Sequence, residues 1–133
     1  MKNDFLTPLI RLGGNSEEAI NYYLKVFPNS ELIKLEKFTE NTEYTEKDKV
    51  QNAHLRLENS TVMFMDMKKE IAPMSSWAIS LFLNFETEEE FDLVFKGLAE
   101  FGQVMYGPMP AAGIKKVAMV TDKFDITWEL NWK

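Results

Sequence analysis

The run Asn15-Ser16-Glu17-Glu18-Ala19-Ile20 reappears as Glu86-Thr87-Glu88-Glu89-Glu90-Phe91, an offset of 71 residues (86 minus 15). The apolar positions that follow keep step, with Ile20, Tyr23, Leu24 and Phe27 matching Phe91, Val94, Phe95 and Leu98. An internal repeat constrains architecture more firmly than local propensity does. Each copy reads as a capped amphipathic helix. Ser16 or Asn15 in the first, and Thr87 with Glu90 three residues on in the second, supply acceptors for the free amides of the first turn. Apolar spacing of three and four then gives each helix one buried stripe. The Glu88-Glu89-Glu90 run is a helix start favoured by the dipole and needs no calcium to explain it.

Strand-like runs flank both helices: residues 8–12 and 78–85 before them, and 31–35 and 103–106 after. Two more follow in each half, 52–58 with 61–67 and 116–121 with 126–132. The halves, about 5–67 and 77–132, therefore both read strand, helix, three strands, within one domain of 1–133. The fold class expected is α+β. Two such units bury their faces most economically as one curved eight-stranded mixed sheet, with helices outside and a concave cavity inside for a ligand. The polar stretch 39–49 is an exposed loop of the length that often carries function, and 68–76 joins the halves.

Composition narrows the function classes. At 133 residues and 45% hydrophobic, the chain can bury one sizeable core but is too short for two ordinary domains. Twenty-one acidic against 15 basic residues leave a net charge of −6, which argues against a nucleic-acid partner and an anionic membrane alike. Its 13% aromatic content and eight Met exclude a disordered chain. The absence of cysteine removes disulfides, thiolate metal sites and a cysteine nucleophile. Residues 1–8 carry an acid and a proline where a signal peptide has its apolar stretch, and no apolar run approaches the roughly 20 residues of a membrane span. A cytoplasmic location is the expectation. The glycines form neither G-x-G-x-x-G nor a nucleotide-binding P-loop.

Strand alternation selects the candidate site residues. Glu129 shares a face with Thr127 and Asn131, opposite Ile126, Trp128, Leu130 and Trp132. A carboxylate in a partly apolar pocket can act as a general base or a ligand anchor. Ser80, Phe82 and Asn84 alternate with Ile79, Leu81, Leu83 and Phe85, so the wholly apolar face packs on a helix and the mixed face is left for a ligand. His54, the sole histidine, shares a face with Asn52 and Arg56. Its polar face lines either the cavity or solvent, and no serine sits in a nucleophile-elbow pattern to use it. Phe64, with Met63 and Met65, suits either a hydrophobic wall or ordinary core.

Several segments together resemble the PhnB-like branch of the vicinal oxygen chelate superfamily, which includes glyoxalase, bleomycin-resistance protein and extradiol dioxygenase. They are Thr7-Pro8, Glu17-Glu18-Ala19-Ile20-Asn21-Tyr22-Tyr23, Phe27-Pro28-Asn29-Ser30, Ile79-Ser80-Leu81-Phe82, and Thr121-Asp122-Lys123-Phe124 with Ile126-Thr127-Trp128. The branch often carries the label 3-demethylubiquinone-9 3-methyltransferase. Methyl transfer from S-adenosylmethionine usually needs a longer Rossmann-like domain with a glycine-rich turn, which this chain lacks. The resemblance implies a divalent metal held from the first and last strands of each half, at positions that become Pro8, Phe64 (to within a residue), Ser80 and Glu129. Of these only Glu129 is a competent ligand, and a catalytic ion needs about three. The branch also commonly has His at Asn52 and Gly at Asp125.

The resemblance implies a protein that binds a small, partly apolar molecule in its cavity, while the residues at the four positions argue against a glyoxalase-type metal centre; no cofactor is expected, and a divalent metal is disfavoured. The residues taken to carry the ligand are Glu129 as anchor, Phe64 and Phe82 as walls, and Ser80 and His54 as hydrogen-bonding groups. It also implies a homodimer. The alternatives are sequestration of a cationic drug, as in the acidic bleomycin-resistance proteins, and a metal-dependent lyase, isomerase or dioxygenase with displaced ligands such as Glu129, His54 and Asp66.

Overall fold

The computed structural model describes residues 4–133. Met1 to Asn3, which open the stretch compared above with a signal peptide, lie outside the described residues. The chain forms two compact units, the first ending at Pro73 and the second running from Met74 to Lys133. Each repeats the expected order. The first holds β1 (Leu9–Leu12), α1 (Ser16–Val26), β2 (Ser30–Lys37), β3 (Val50–Leu57) and β4 (Ser60–Asp66). The second holds β5 (Leu81–Phe85), α2 (Glu88–Ala99), β6 (Gln103–Ala111), β7 (Ile114–Thr121) and β8 (Thr127–Trp132). The eight strands lie in two mixed four-stranded sheets, ordered β1-β4-β3-β2 and β5-β8-β7-β6, with β1–β4 and β5–β8 parallel. Among the described residues no helix is long and apolar enough to cross a membrane.

Each helix covers one face of its own sheet because its apolar stripe matches the apolar parity of the strands. In the first unit Ala19, Ile20, Tyr23 and Val26 are buried, and the Tyr23 ring lies 6.1 Å from that of Phe64. In the second, Phe91, Val94 and Leu98 are buried, and Phe91 meets Phe85 edge-on at 5.7 Å. The apolar face expected of the Ile79–Phe85 run is thus the helix side for its strand residues. Ile79 itself is 81% exposed, because β5 begins only at Leu81.

The helix starts differ from expectation in one copy. Thr87 Oγ1 accepts the Glu90 amide at 3.2 Å, so the predicted cap of α2 forms. Neither Asn15 nor Ser16 caps α1 with its side chain. Asp66, at the end of β4 and 2% exposed, does so from fifty residues away: its Oδ1 accepts the Ser16 amide at 2.9 Å and its Oδ2 the Val50 amide at 3.0 Å. A carboxylate there satisfies orphan donors and faces the positive end of the helix dipole.

β6 runs five residues past its expected end at Tyr106, through Gly107, Pro108 and Pro110. Its edge position allows this, since proline lacks only a donor that an outer strand need not supply. Gly107, at φ 76°, also has no room for a Cβ, which would fall 2.3 Å from the Val117 carbonyl oxygen. The 39–49 loop is folded on itself. Thr42 Oγ1 accepts the Tyr44 and Thr45 amides, Asn41 accepts that of Lys47, and the Tyr44 carbonyl accepts the Lys68 amide. Asp125 sits at φ 66° between β7 and β8, a left-handed position that favours glycine and that Asp tolerates better than most residues.

Candidate functional site

β8 supplies the centre of the site because its alternation turns Thr127, Glu129 and Asn131 to the side away from α2, while Trp128 and Leu130 are buried in the core. Parallel pairing sets Phe82 opposite Glu129, antiparallel pairing sets Met119 on its other side, and Tyr106 pairs with Met119. One row across the helix-free face of the second sheet therefore reads Phe82, Glu129, Met119, Tyr106. Ser80 Oγ donates to Glu129 Oε2 at 2.6 Å, and the Tyr106 hydroxyl donates to Glu129 Oε1 at 3.1 Å. Both carboxylate oxygens are thus engaged by hydroxyls, and Phe82 stands beside them 58% exposed.

Burial raises the Tyr106 phenol above its ordinary value of 10.0, and its hydrogen bond to Glu129 and that carboxylate's charge push it the same way. The phenol therefore keeps its proton at neutral pH. Further along the face, Thr127 shares a 2.8 Å contact with Thr121, whose hydroxyl donates to Met105 Sδ at 3.1 Å.

Of the five residues selected from sequence, Glu129, Ser80 and Phe82 come together here. The other two belong to the first unit, on opposite faces of one sheet: His54 pairs with Met63, and Phe64 with Ala53. Phe64 is 1% exposed and packs on Tyr23 of α1, so it is a core residue and not a ligand wall. His54 lies on the helix-free side, its Nε2 buried without a partner among the described residues.

Tyr106 escaped the sequence reading. Val104 pairs with Val120 and Tyr106 with Met119, so two residues of β6 oppose one of β7. This bulge reverses parity and moves Tyr106 from the helix side to the Glu129 side. The sequence signal was the adjacent Gly107-Pro108, a pair that disturbs regular ladder pairing within a strand.

The register also corrects the metal positions. Arg11 faces Met65 as Phe82 faces Glu129, and the offset of 71 carries Ser80 onto Leu9, so Leu9 and Met65 replace Pro8 and Phe64. Neither is a metal ligand. The residues at these positions do not fit a divalent ion, since Glu129 is the only strong donor among them. Among the described residues, no three His, Asp or Glu side chains form a group that could hold a metal. Asp66, named above as a displaced ligand, is committed to two backbone amides. A recess of about 360 Å³ beside it, at the start of α1, is lined by Glu17, Glu18, Asp48 and Lys49 and contains none of the selected residues.

Residues 4–131 match the family model described as 3-demethylubiquinone-9 3-methyltransferase. The chain belongs to this family. It is similar to the PhnB protein of Bacillus cereus, with 27% identity over 98% of this chain and 100% of that one, and a TM-score of 0.83. Protein PA1353 of Pseudomonas aeruginosa is 25% identical over 98% of both chains, with a TM-score of 0.85. The fosfomycin resistance protein FosX of Mesorhizobium loti shares the fold alone, at 13% identity over 98% of this chain and 92% of that one, with a TM-score of 0.63. No curated protein matches the chain. The family member is PhnB-like and carries the α+β fold of the vicinal oxygen chelate superfamily, as the resemblance implied.

Proposed function

We propose that this PhnB-like protein binds a small, partly apolar molecule on the helix-free face of its second sheet, with Glu129 as polar anchor and without a glyoxalase-type metal centre. The observation that carries the reading is the Ser80–Glu129–Tyr106 cluster, a carboxylate held by two hydroxyls beside an exposed phenylalanine. Apolar surface with a few convergent polar groups is the usual composition of a ligand site. Methyl transfer, which the family name carries, is not part of the reading, because no glycine-rich cofactor turn is present in the sequence.

Titration of the isotopically labelled protein with a panel of monocyclic aromatic fragments tests it through backbone amide shifts. The expected shifts fall on β5, β7 and β8 and weaken in Glu129→Gln. Shifts confined to the first unit, or none, overturn the site. Zn²⁺, Ni²⁺ and Mn²⁺ are expected to leave the unfolding midpoint unchanged, since only a ligand of the folded state raises it. A rise abolished by Glu129→Gln overturns the metal-free reading. The proposed assembly is a homodimer, which would cover open sheet edges. Sedimentation that finds a monomer at high micromolar concentration removes it.

A further inference from the structure

The direction of the hydrogen bonds on the Glu129 face specifies what a ligand must bring. A hydroxyl owns one proton, and those of Ser80 and Tyr106 both point at the Glu129 carboxylate, which has none to return. The Ser80 and Tyr106 protons are thereby consumed within the face, leaving their oxygen lone pairs. Thr121 and Thr127 share a further hydroxyl bond at 2.8 Å, and the Thr121 hydroxyl also lies 3.1 Å from Met105 Sδ. In the next row Asn131, 3% exposed, donates its amide to Asn84 while its own Oδ1 is buried with no partner among the described residues. Neither β5 nor β8 contains a lysine, arginine or histidine, and of the two lysines of β7, Lys116 pairs with Glu88 and Asp92 of α2 while the Lys115 ammonium lies over the Trp132 ring.

We infer that the ligand is a protonated amine carried on an apolar body. The inference rests on the reading that the Glu129 face is the ligand site. An ammonium brings three donors and a positive charge. Glu129 supplies the opposite charge, the Ser80 and Tyr106 oxygens accept the remaining protons, and the exposed Phe82 ring offers apolar and cation–π surface. An anion would meet a carboxylate and the hydroxyl lone pairs beside it.

Calorimetric titration of the full chain with three probes of related skeleton separates the possibilities: 2-phenylethylammonium, 2-phenylethanol and 3-phenylpropanoate. The ammonium is expected to bind about tenfold or more tightly than the alcohol, the worth of one charge-assisted hydrogen bond. The phenylpropanoate is expected to give no heat. Glu129→Gln, with unchanged circular dichroism, is expected to reduce the ammonium to the affinity of the alcohol. Tyr106→Phe, which keeps the charge, retains the preference. Equal binding of ammonium and alcohol, or a preference for the carboxylate, overturns the amine and leaves the ligand face standing. Ammonium binding untouched by Glu129→Gln overturns the assignment of its charge partner. Absence of heat from all three overturns this ligand class, while the aromatic fragment panel decides the face itself separately.

Discussion

On the helix-free face of the first sheet Arg11 stands opposite Met65, where the second sheet sets Phe82 opposite Glu129. The helix-facing sides of the two sheets are alike in kind, with Phe64 against Tyr23 in one unit and Phe85 against Phe91 in the other. The repeat thus keeps what packs a helix on a sheet and lets the other face diverge. One copy assembles a hydroxyl-held carboxylate, and the other sets methionines, a leucine and an arginine in the corresponding strands. Topology provides the surface, and particular residues provide the chemistry.

The largest expected effect tests the assignment of Phe64 and Phe82 to opposite roles. Phe64→Ala is expected to lower the unfolding free energy by about 4 kcal/mol, since it opens a cavity under α1. Phe82→Ala, at a site 58% exposed, is expected to change it by less than about 1 kcal/mol. Urea denaturation measures both. A small loss for Phe64→Ala would return that residue to the ligand-wall role.

The two helix starts give the next contrast. Asp66→Ala leaves two buried backbone amides without acceptors, an expected loss of about 3 kcal/mol. Thr87→Ala removes one exposed cap, an expected loss of about 1 kcal/mol. Equal losses in denaturant melts would show that the distant carboxylate and the local hydroxyl do the same work.

Those residues also mark how far the sequence could be read. Both helices, the order of elements and the inward stripes were legible because period and spacing are local properties. Glu129, Ser80 and Phe82 were legible as face residues because strand parity is local too. The Asp66 cap was not, because nothing at Asn15 or Ser16 announces an acceptor fifty residues on. Phe64 was misassigned because a one-residue ambiguity in a strand exchanges its faces. Tyr106 was missed because a bulge reverses its parity, and bulges are set by the pairing partner as much as by the strand itself.

The smallest expected effect concerns Tyr106, which has no counterpart cluster in the first unit. Its raised pKa means that the folded chain holds the phenolic proton more tightly than the unfolded chain does. The stabilisation linked to that proton is fully present below the ordinary value of 10.0 and is lost as the pH rises through the folded value. Stability is therefore expected to fall in alkali above about pH 10, the reference point for an unperturbed tyrosine. The phenolate absorbance at 295 nm isolates this group when the titration of Tyr106→Phe is subtracted from that of the wild-type chain, which has four tyrosines. Glu129→Gln should shift the difference curve towards lower pH, because it removes the carboxylate charge that resists phenolate formation, while the burial contribution stays. A curve unmoved by Glu129→Gln would mean that burial alone sets the phenol, and that the carboxylate and the hydroxyl do not act as one unit.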